Sequence, residues 1–420
     1  MMRHLLCIAF VAWAALPALA AEEPSQAPLR LTLPQAVELA LQQNAALRVR
    51  AAEAEAALEQ ARSLGKPPPI EFSLSLTSII EELEWVVGKV FGFVGKRKYA
   101  SRAARAQHAA LVAGNAEFLL ELTAATKAAY WSLALADRAI ESAETKVGQT
   151  EQVRDATQGL LAAGAGMQID VARAEAEVAA AQQELTSART TRQAANAELA
   201  LLLGERPERP LIPAEAVRPG AEVLAPGHRL QSIALARRPA VTRLEALMEA
   251  AEQGVKLARA ERIPGIAIGA TREDETRFGF LELGFPLIDL GSIRHGVRSA
   301  QWSAKAVRAE LEVTRQQLRT EVEVALTRLT DARQQLDTIT ADRLPRQERL
   351  VERVRAGYDE QALILLDLLD AQRTLNDLRG EQLEALEAYY TAAAGLERAT
   401  GTPLTELEGA INDNVAQESQ

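Results

Sequence analysis

Apolar positions recur along this chain with two different periods, which mark out two kinds of element. Leu133, Ala136, Ile140, Ala143 and Val147 are spaced 3, 4, 3, 4. Leu318, Val322, Ala325, Leu329, Ala332, Leu336 and Ile339 keep the same alternation. Such heptad stripes predict helices wound into a left-handed supercoil, with small alanines letting the backbones approach closely. No proline falls between Pro69 and Pro207, between Pro286 and Pro345, or between Pro345 and Pro403. These windows are rich in Ala, Leu, Glu, Gln and Arg, all strong helix formers. They predict helices of about 40 to 60 residues, reaching on the order of 60–90 Å.

The second period is 2. Ile70, Phe72, Leu74 and Leu76 alternate with Glu71, Ser73, Ser75 and Thr77, as in a barrel wall between lipid and water. Gly265 to Thr271 and Phe278 to Leu287 form a second strand-like pair, joined by the charged turn Arg272 to Arg277. Phe72, Phe91, Phe93, Phe278, Phe280 and Phe285 lie in or beside these segments, a clustering expected of aromatic girdles at a bilayer surface. Ser78 to Val90 departs from the pattern. Ile79, Leu83, Val86 and Val90 are spaced 4, 3, 4, which predicts an irregular first hairpin or an amphipathic interfacial segment.

The chain also repeats itself. Ala40 to Leu47 matches Ala234 to Val241 at an offset of 194, Gly95 matches Gly291 at 196, and Leu203-Gly204 matches Thr400-Gly401 at 197. The two heptad stripes superpose at 196 as well. The expected organisation is a first repeat over 21–204, a Pro-rich linker over 205–230, a second repeat over 231–403 and a polar tail over 404–420. Each repeat reads as helix, strand pair, long helix, long helix. Thr32-Leu33-Pro34-Gln35 opens the first helix with a capping box.

The N-terminus adds export. Arg3 and His4 precede the apolar run Leu5 to Leu16, and Ala18-Leu19-Ala20 closes it. That is the pattern of a secretory signal peptide over residues 1–20. The only cysteine, Cys7, lies inside it. No later stretch is long and apolar enough for a transmembrane helix.

Composition narrows the function. Lys+Arg 47 against Asp+Glu 57 gives a net charge of −10 without a basic block, which argues against nucleic acid. Four histidines and one cysteine argue against a metal site or a bound cofactor. No serine sits in a glycine elbow and no phosphate loop occurs, so an enzyme is not expected. Strands in lipid must close into a barrel, which takes about eight or more. Two to four strands per chain therefore require several copies to pool them.

Leu31-Thr32-Leu33 with Ala36, Ala40-Leu41 and Asn44, the duplication, and Gly95-Lys96-Arg97 after the second strand resemble the TolC-type outer-membrane efflux proteins. The resemblance runs from Leu31 to about Pro403. It implies a mainly α fold with a small β part, in which a long coiled-coil α-helical barrel continues strands given to a shared trimeric transmembrane β-barrel. It further implies a homotrimer in the outer membrane of a Gram-negative-type cell, with helices extending into the periplasm. Its partners would be outer-membrane lipid, a periplasmic adaptor protein and an inner-membrane transporter, and the duct would export what they deliver.

By the same resemblance, the helix turns carrying Gly164, Gly166, Gln168 and Asp170, and Gly357, Gln361 and Ile364, would meet the adaptor. Asp367 and Asp370 would ring the closed tunnel entrance. Their i, i+3 spacing puts both on one helix face, so three copies would stack two rings of carboxylates that attract cations. The first repeat has Asp170 and Arg173 in their place. The competing expectation is an exported periplasmic coiled-coil scaffold without a pore.

Overall fold

The computed structural model describes residues 28–67, 71–76, 83–91, 94–218, 226–263, 265–273, 276–284, 291–360, 362–404 and 406. The signal peptide over 1–20, Phe93, Phe285, Gln361 and nearly all of the tail from 404 lie outside them.

The chain opens with strand β1 (Leu29–Leu31) and helix α1 (Leu33–Gln43). Thr32 caps α1 as expected: its hydroxyl accepts from Gln35 N, and the Gln35 side chain accepts from Thr32 N at 3.0 Å. The first helix is then broken where the sequence suggested continuity. Asn44 leaves helical geometry, accepts from Ala46 N at 3.0 Å, and starts helix α2 (Ala45–Gly65). An asparagine side chain that competes with the helical backbone explains the break.

Strands β2 (Glu71–Leu76) and β3 (Leu83–Phe91) follow, then α3 (Val94–Ala162) and α4 (Gln168–Leu203). The helix α3 alone has 69 residues, longer than the proline gaps suggested because it begins directly after β3. Strand β4 (Leu211–Pro213), helices α5 (Gly227–Arg237) and α6 (Pro239–Ala260), and strands β5 (Gly265–Glu273) and β6 (Thr276–Gly284) come next. Helix α7 (Ser292–Asp337) passes through a π-turn at Thr338–Arg343 into α8 (Leu344–Asp359), and α9 (Leu365–Thr400) closes the order.

Pro345 does not end the helical run. Its ring excludes the ordinary i−4 geometry, and the wider turn just before it absorbs the misfit, with Leu344 N bonding back to Ile339 O.

Of Ser78 to Val90, residues 78–82 lie outside the described residues, and the expectation is corrected for the rest. The part that is described, Leu83–Phe91, is a regular strand paired with β2 on one side and β5 on the other. The strand order is β2-β3-β5-β6, with every neighbour antiparallel. Strands β5 and β6 also run closer to their connection than the charged turn implied, pairing Glu273 with Thr276. A separate parallel pair, β1 with β4, ties the start of the chain to the stretch after α4.

The heptad stripes are the core. Every member from Leu318 to Ile339 is buried, as are Leu133, Ala136 and Ala143. Two clusters form around them. One gathers α1, α3 and α4 with β1 and β4 around Tyr130, Leu133 and Leu199. The other gathers α5, α7 and α9 around Val322, Tyr390 and Leu396. Trp131 packs on both and stacks on Tyr390, with ring centroids 4.0 Å apart and planes 11° apart.

Candidate duct elements and helix tips

Two ends of the molecule carry the predicted functional residues. At the α3–α4 tip the chain reverses through Gly164, whose φ of +75° is a left-handed conformation that favours glycine. Leu160 O accepts from both Ala165 N (2.9 Å) and Gly166 N (3.0 Å). A Cβ on Gly166 would lie 2.8 Å from Leu161 N, so the turn closes only over a bare Cα. The α8–α9 tip repeats this bonding: Gly357 O accepts from Ala362 N (2.8 Å) and Leu363 N (3.1 Å). Met167, Ile169, Ile364 and Leu366 stand exposed at the tips, Met167 and Ile364 each at 63%. Gln168 is exposed too.

Asp367 and Asp370 are both on the exposed face of the first turns of α9, opposite buried Leu365, Leu368 and Leu369. Asp367 also serves locally, because its carboxylate accepts from Ile364 N at 3.3 Å at the positive end of the helix. Asp370 has a neighbour the sequence reading passed over: Arg373 Nη1 lies 3.8 Å from it, one turn further on. The same guanidinium hydrogen-bonds Glu177 of α4, and that bond, above all, raises its pKa. The i, i+3 spacing of Asp370 and Arg373 was legible; the reach to Glu177 needed the packing of α4 near α9. In the other tip Asp170 pairs with Arg173 at 3.6 Å.

At the opposite end the register of the sheet sorts its residues by face. Phe72 pairs with Val87, Val87 with Ala270 and Ala270 with Gly279; Phe91 pairs with Ile266 and Ile266 with Leu283. Directly paired residues share a face, so one face collects Phe72, Leu74, Leu76, Trp85, Phe91, Ile268 and Leu281, with Lys89, Arg272 and Arg277 as its charged members. The other collects Glu71, Ser73, Ser75, Glu84, Thr271 and Glu282. Phe278 pairs with Thr271, and Phe280 with Gly269; both belong to the polar face. The four phenylalanines of the sheet therefore do not line one side of it, because Phe278 and Phe280 are out of phase with Phe72 and Phe91.

Between the two ends a buried charge cluster joins four helices. Arg238, at the α5–α6 break and 4% exposed, donates to Arg398 O (2.6 Å), Ala399 O (3.2 Å) and Glu117 Oε1. Glu117 in turn accepts from Ala240 N at 3.1 Å. Glu321 Oε2 lies 3.7 Å from Arg238, and its Oε1 lies 2.6 Å from Arg398 Nη2, an ion pair without hydrogen-bond alignment. Among the described residues no helix is long and apolar enough to cross a membrane. No group of three or more His, Cys, Asp or Glu among them could hold a metal ion.

The chain matches the outer membrane efflux protein family over residues 91–205 and 230–402, and it belongs to that family. The family consists of efflux proteins of the outer membrane rather than enzymes, with their helical part in the periplasm. Over 279 residues the chain is 25% identical to the cobalt-zinc-cadmium resistance protein CzcC of Cupriavidus metallidurans, covering 65% of this chain and 66% of that one. Over 260 residues it is 30% identical to the pyoverdine export outer membrane protein OpmQ of Pseudomonas aeruginosa, covering 57% and 52%. The matched stretch spans less than two thirds of either relative. The fold is that of the Campylobacter jejuni CmeC outer membrane channel, with a TM-score of 0.76 at 17% identity over 91% of this chain and 88% of that one.

Proposed function

We propose that the chain is one third of a trimeric outer-membrane duct. Three copies would pool their strands in one closed β-barrel and their helices in a periplasmic tunnel. The observation that carries this reading is the four-stranded sheet: one face is mostly apolar, and its outer strands β2 and β6 have no partner among the described residues. A sheet edge in hydrocarbon leaves backbone groups unsatisfied, so such a sheet is complete only beside further copies. Phe72 and Phe91 then belong to the lipid side, and Phe278 and Phe280 to the lumen.

The duct is passive. It takes cargo from an inner-membrane transporter through a periplasmic adaptor, which would dock on the tips carrying Gly164, Gly166, Gln168, Asp170, Gly357, Gln361 and Ile364. Asp367 and Asp370 form the carboxylate rings of the gate, with Asp370 partly screened by Arg373. We further take 21–204 and 231–403 as two copies of one ancestral unit, joined by the linker 205–230 and followed by the tail 404–420. The recurring bonding at the two tips supports that. One relative is named for cobalt, zinc and cadmium and the other for pyoverdine. Cargoes so different in chemistry favour selection by the partners rather than by the duct.

Conductance of the purified mature protein in planar bilayers, beside an Asp367→Asn, Asp370→Asn double variant, tests both parts. Discrete cation-preferring steps that lose their preference in the variant are expected. Steps indifferent to the variant would remove the gate and keep the duct. A protein soluble without detergent and silent in bilayers would instead be a coiled-coil scaffold.

A further inference from the structure

Four helix ends meet at the foot of the four-stranded sheet, and their charge runs against the rest of the molecule. Ser101 Oγ donates to Ala61 O at 3.1 Å, which sets the end of α2 beside the start of α3. Arg308 and Glu252 approach to 3.7 Å, which sets the end of α6 beside the start of α7. Ala240 N bonds Glu117 at 3.1 Å, so α6 runs antiparallel along α3 and ends near its beginning. The stretches 62–66, 96–102, 259–262 and 294–298 therefore form one belt. By helix rise, it lies within about 12 Å of the helix ends.

In these stretches stand ten Lys and Arg and one carboxylate, Glu261, with Glu59 just before them paired to Arg62 at 2.5 Å, although the chain as a whole carries a net charge of −10. Arg102, Arg259, Arg262, Arg294 and Arg298 are exposed, and none of them pairs with a carboxylate among the described residues. Further along, compensating acids are commoner: Arg315 and Arg333 of α7, Arg343 of the π-turn and Arg379 of α9 each have an acidic partner, although Arg319 and Arg328 have none among the described residues.

We infer that this belt is a collar for the phosphate headgroups of anionic phospholipids in the periplasmic leaflet of the outer membrane. This rests on the membrane placement of the sheet proposed above. Helices on the periplasmic side and an apolar sheet face above them put the belt at headgroup depth. Clustered Lys and Arg beside a membrane-spanning element attract anionic lipid, and the attraction falls off within a Debye length. The collar fixes how deep the sheet sits and stops the helices from sliding into hydrocarbon.

The test uses the full mature protein in detergent, followed by native mass spectrometry after exposure to equal cardiolipin and phosphatidylethanolamine. Wild type is expected to retain cardiolipin about tenfold over phosphatidylethanolamine, a preference that raised salt erodes. Arg102→Gln, Arg259→Gln, Arg262→Gln and Arg298→Gln together should abolish it. Arg346→Gln, Arg349→Gln, Arg353→Gln and Arg355→Gln on α8 should not.

Equal retention of both lipids by wild type would overturn the collar, and so would loss of preference in the α8 variant. Competition by inorganic phosphate at matched concentration would also overturn it, because the belt would then be a free-anion site. The wild-type arm decides the matter even where the collar variant fails to fold. Conductance steps with no lipid preference would sink the collar alone, whereas a chain soluble without detergent would sink the duct and the collar with it.

Discussion

Gly357 lies directly under Leu363: a Cβ on the glycine would come within 2.8 Å of the leucine Cδ1 and 3.1 Å of its Cγ. The other tip holds the opposite arrangement, with Leu160 at the earlier position and Gly166 at the later, where an added Cβ would meet Leu160 Cβ at 3.2 Å. Each tip has room for one leucine across its turn, and each puts it on a different arm. Gly357→Ala should thus loosen its tip by about 1–3 kcal/mol through overpacking. Combining it with Leu363→Ala should cost less than the sum of the two changes. Hydrogen exchange of the amides from 354 to 366 is the readout, since tips open locally before the bundle does.

Gly166→Ala has no such remedy. The added methyl would strike Leu161 N, which is backbone, so no second side-chain change relieves it. Limited proteolysis should cut this variant at the α3–α4 tip faster than wild type, while the midpoint of global unfolding moves little.

Arg238→Met should be among the costliest single changes, about 3–5 kcal/mol, because Glu117 is left charged and nearly enclosed. Adding Glu117→Gln should restore part of the loss, since the stranded charge disappears. Thermal midpoints of the detergent-solubilised single and double variants give the comparison.

Tyr390 donates to Arg218 O at 2.7 Å, and burial pushes its hydroxyl up to about 12. The neutral form is the one the fold favours. Its contribution is complete below the ordinary tyrosine value near 10 and is lost as pH rises from there through about 12. Stability should be flat across neutral pH and fall in that alkaline window. The fall should be shallower in Tyr390→Phe, which forfeits about 1 kcal/mol at neutral pH instead.

Much of the bundle was legible because a heptad seam needs only local spacing. Leu318 to Ile339 met the expectation at every position. Strand β3 was not legible, for a physical reason. Val86 and Val90 are four apart, a step that helix and strand both satisfy, while Leu83 belongs to the opposite face. A strand with apolar residues on both faces loses the alternation that would announce it. The pairing with β2 and β5 decides its conformation, and that information is far away in sequence. Arg373 shows the same limit at the candidate gate. Its link to Asp370 lies within one helix, but its link to Glu177 spans 196 positions. Arg238 offered even less, since nothing around Ala236 to Ala240 announces a buried arginine; only the approach of Glu117 and the end of α9 encloses it.

Among the described residues the sheet has an even number of strands and alternates direction without exception. Parity then governs how copies join. Strands β2 and β6 necessarily point opposite ways, so wherever β6 of one copy meets β2 of the next the seam is itself antiparallel. The same seam recurs at every junction, whatever the number of copies. An odd strand count would have forced a parallel seam at each junction, with its slanted bonds. In the proposed barrel, closure would therefore be indifferent to copy number as far as the strands are concerned, and the choice of three would fall to the helices. Because a lone sheet is never finished, ring formation should rise more steeply than linearly with the amount of chain in the membrane.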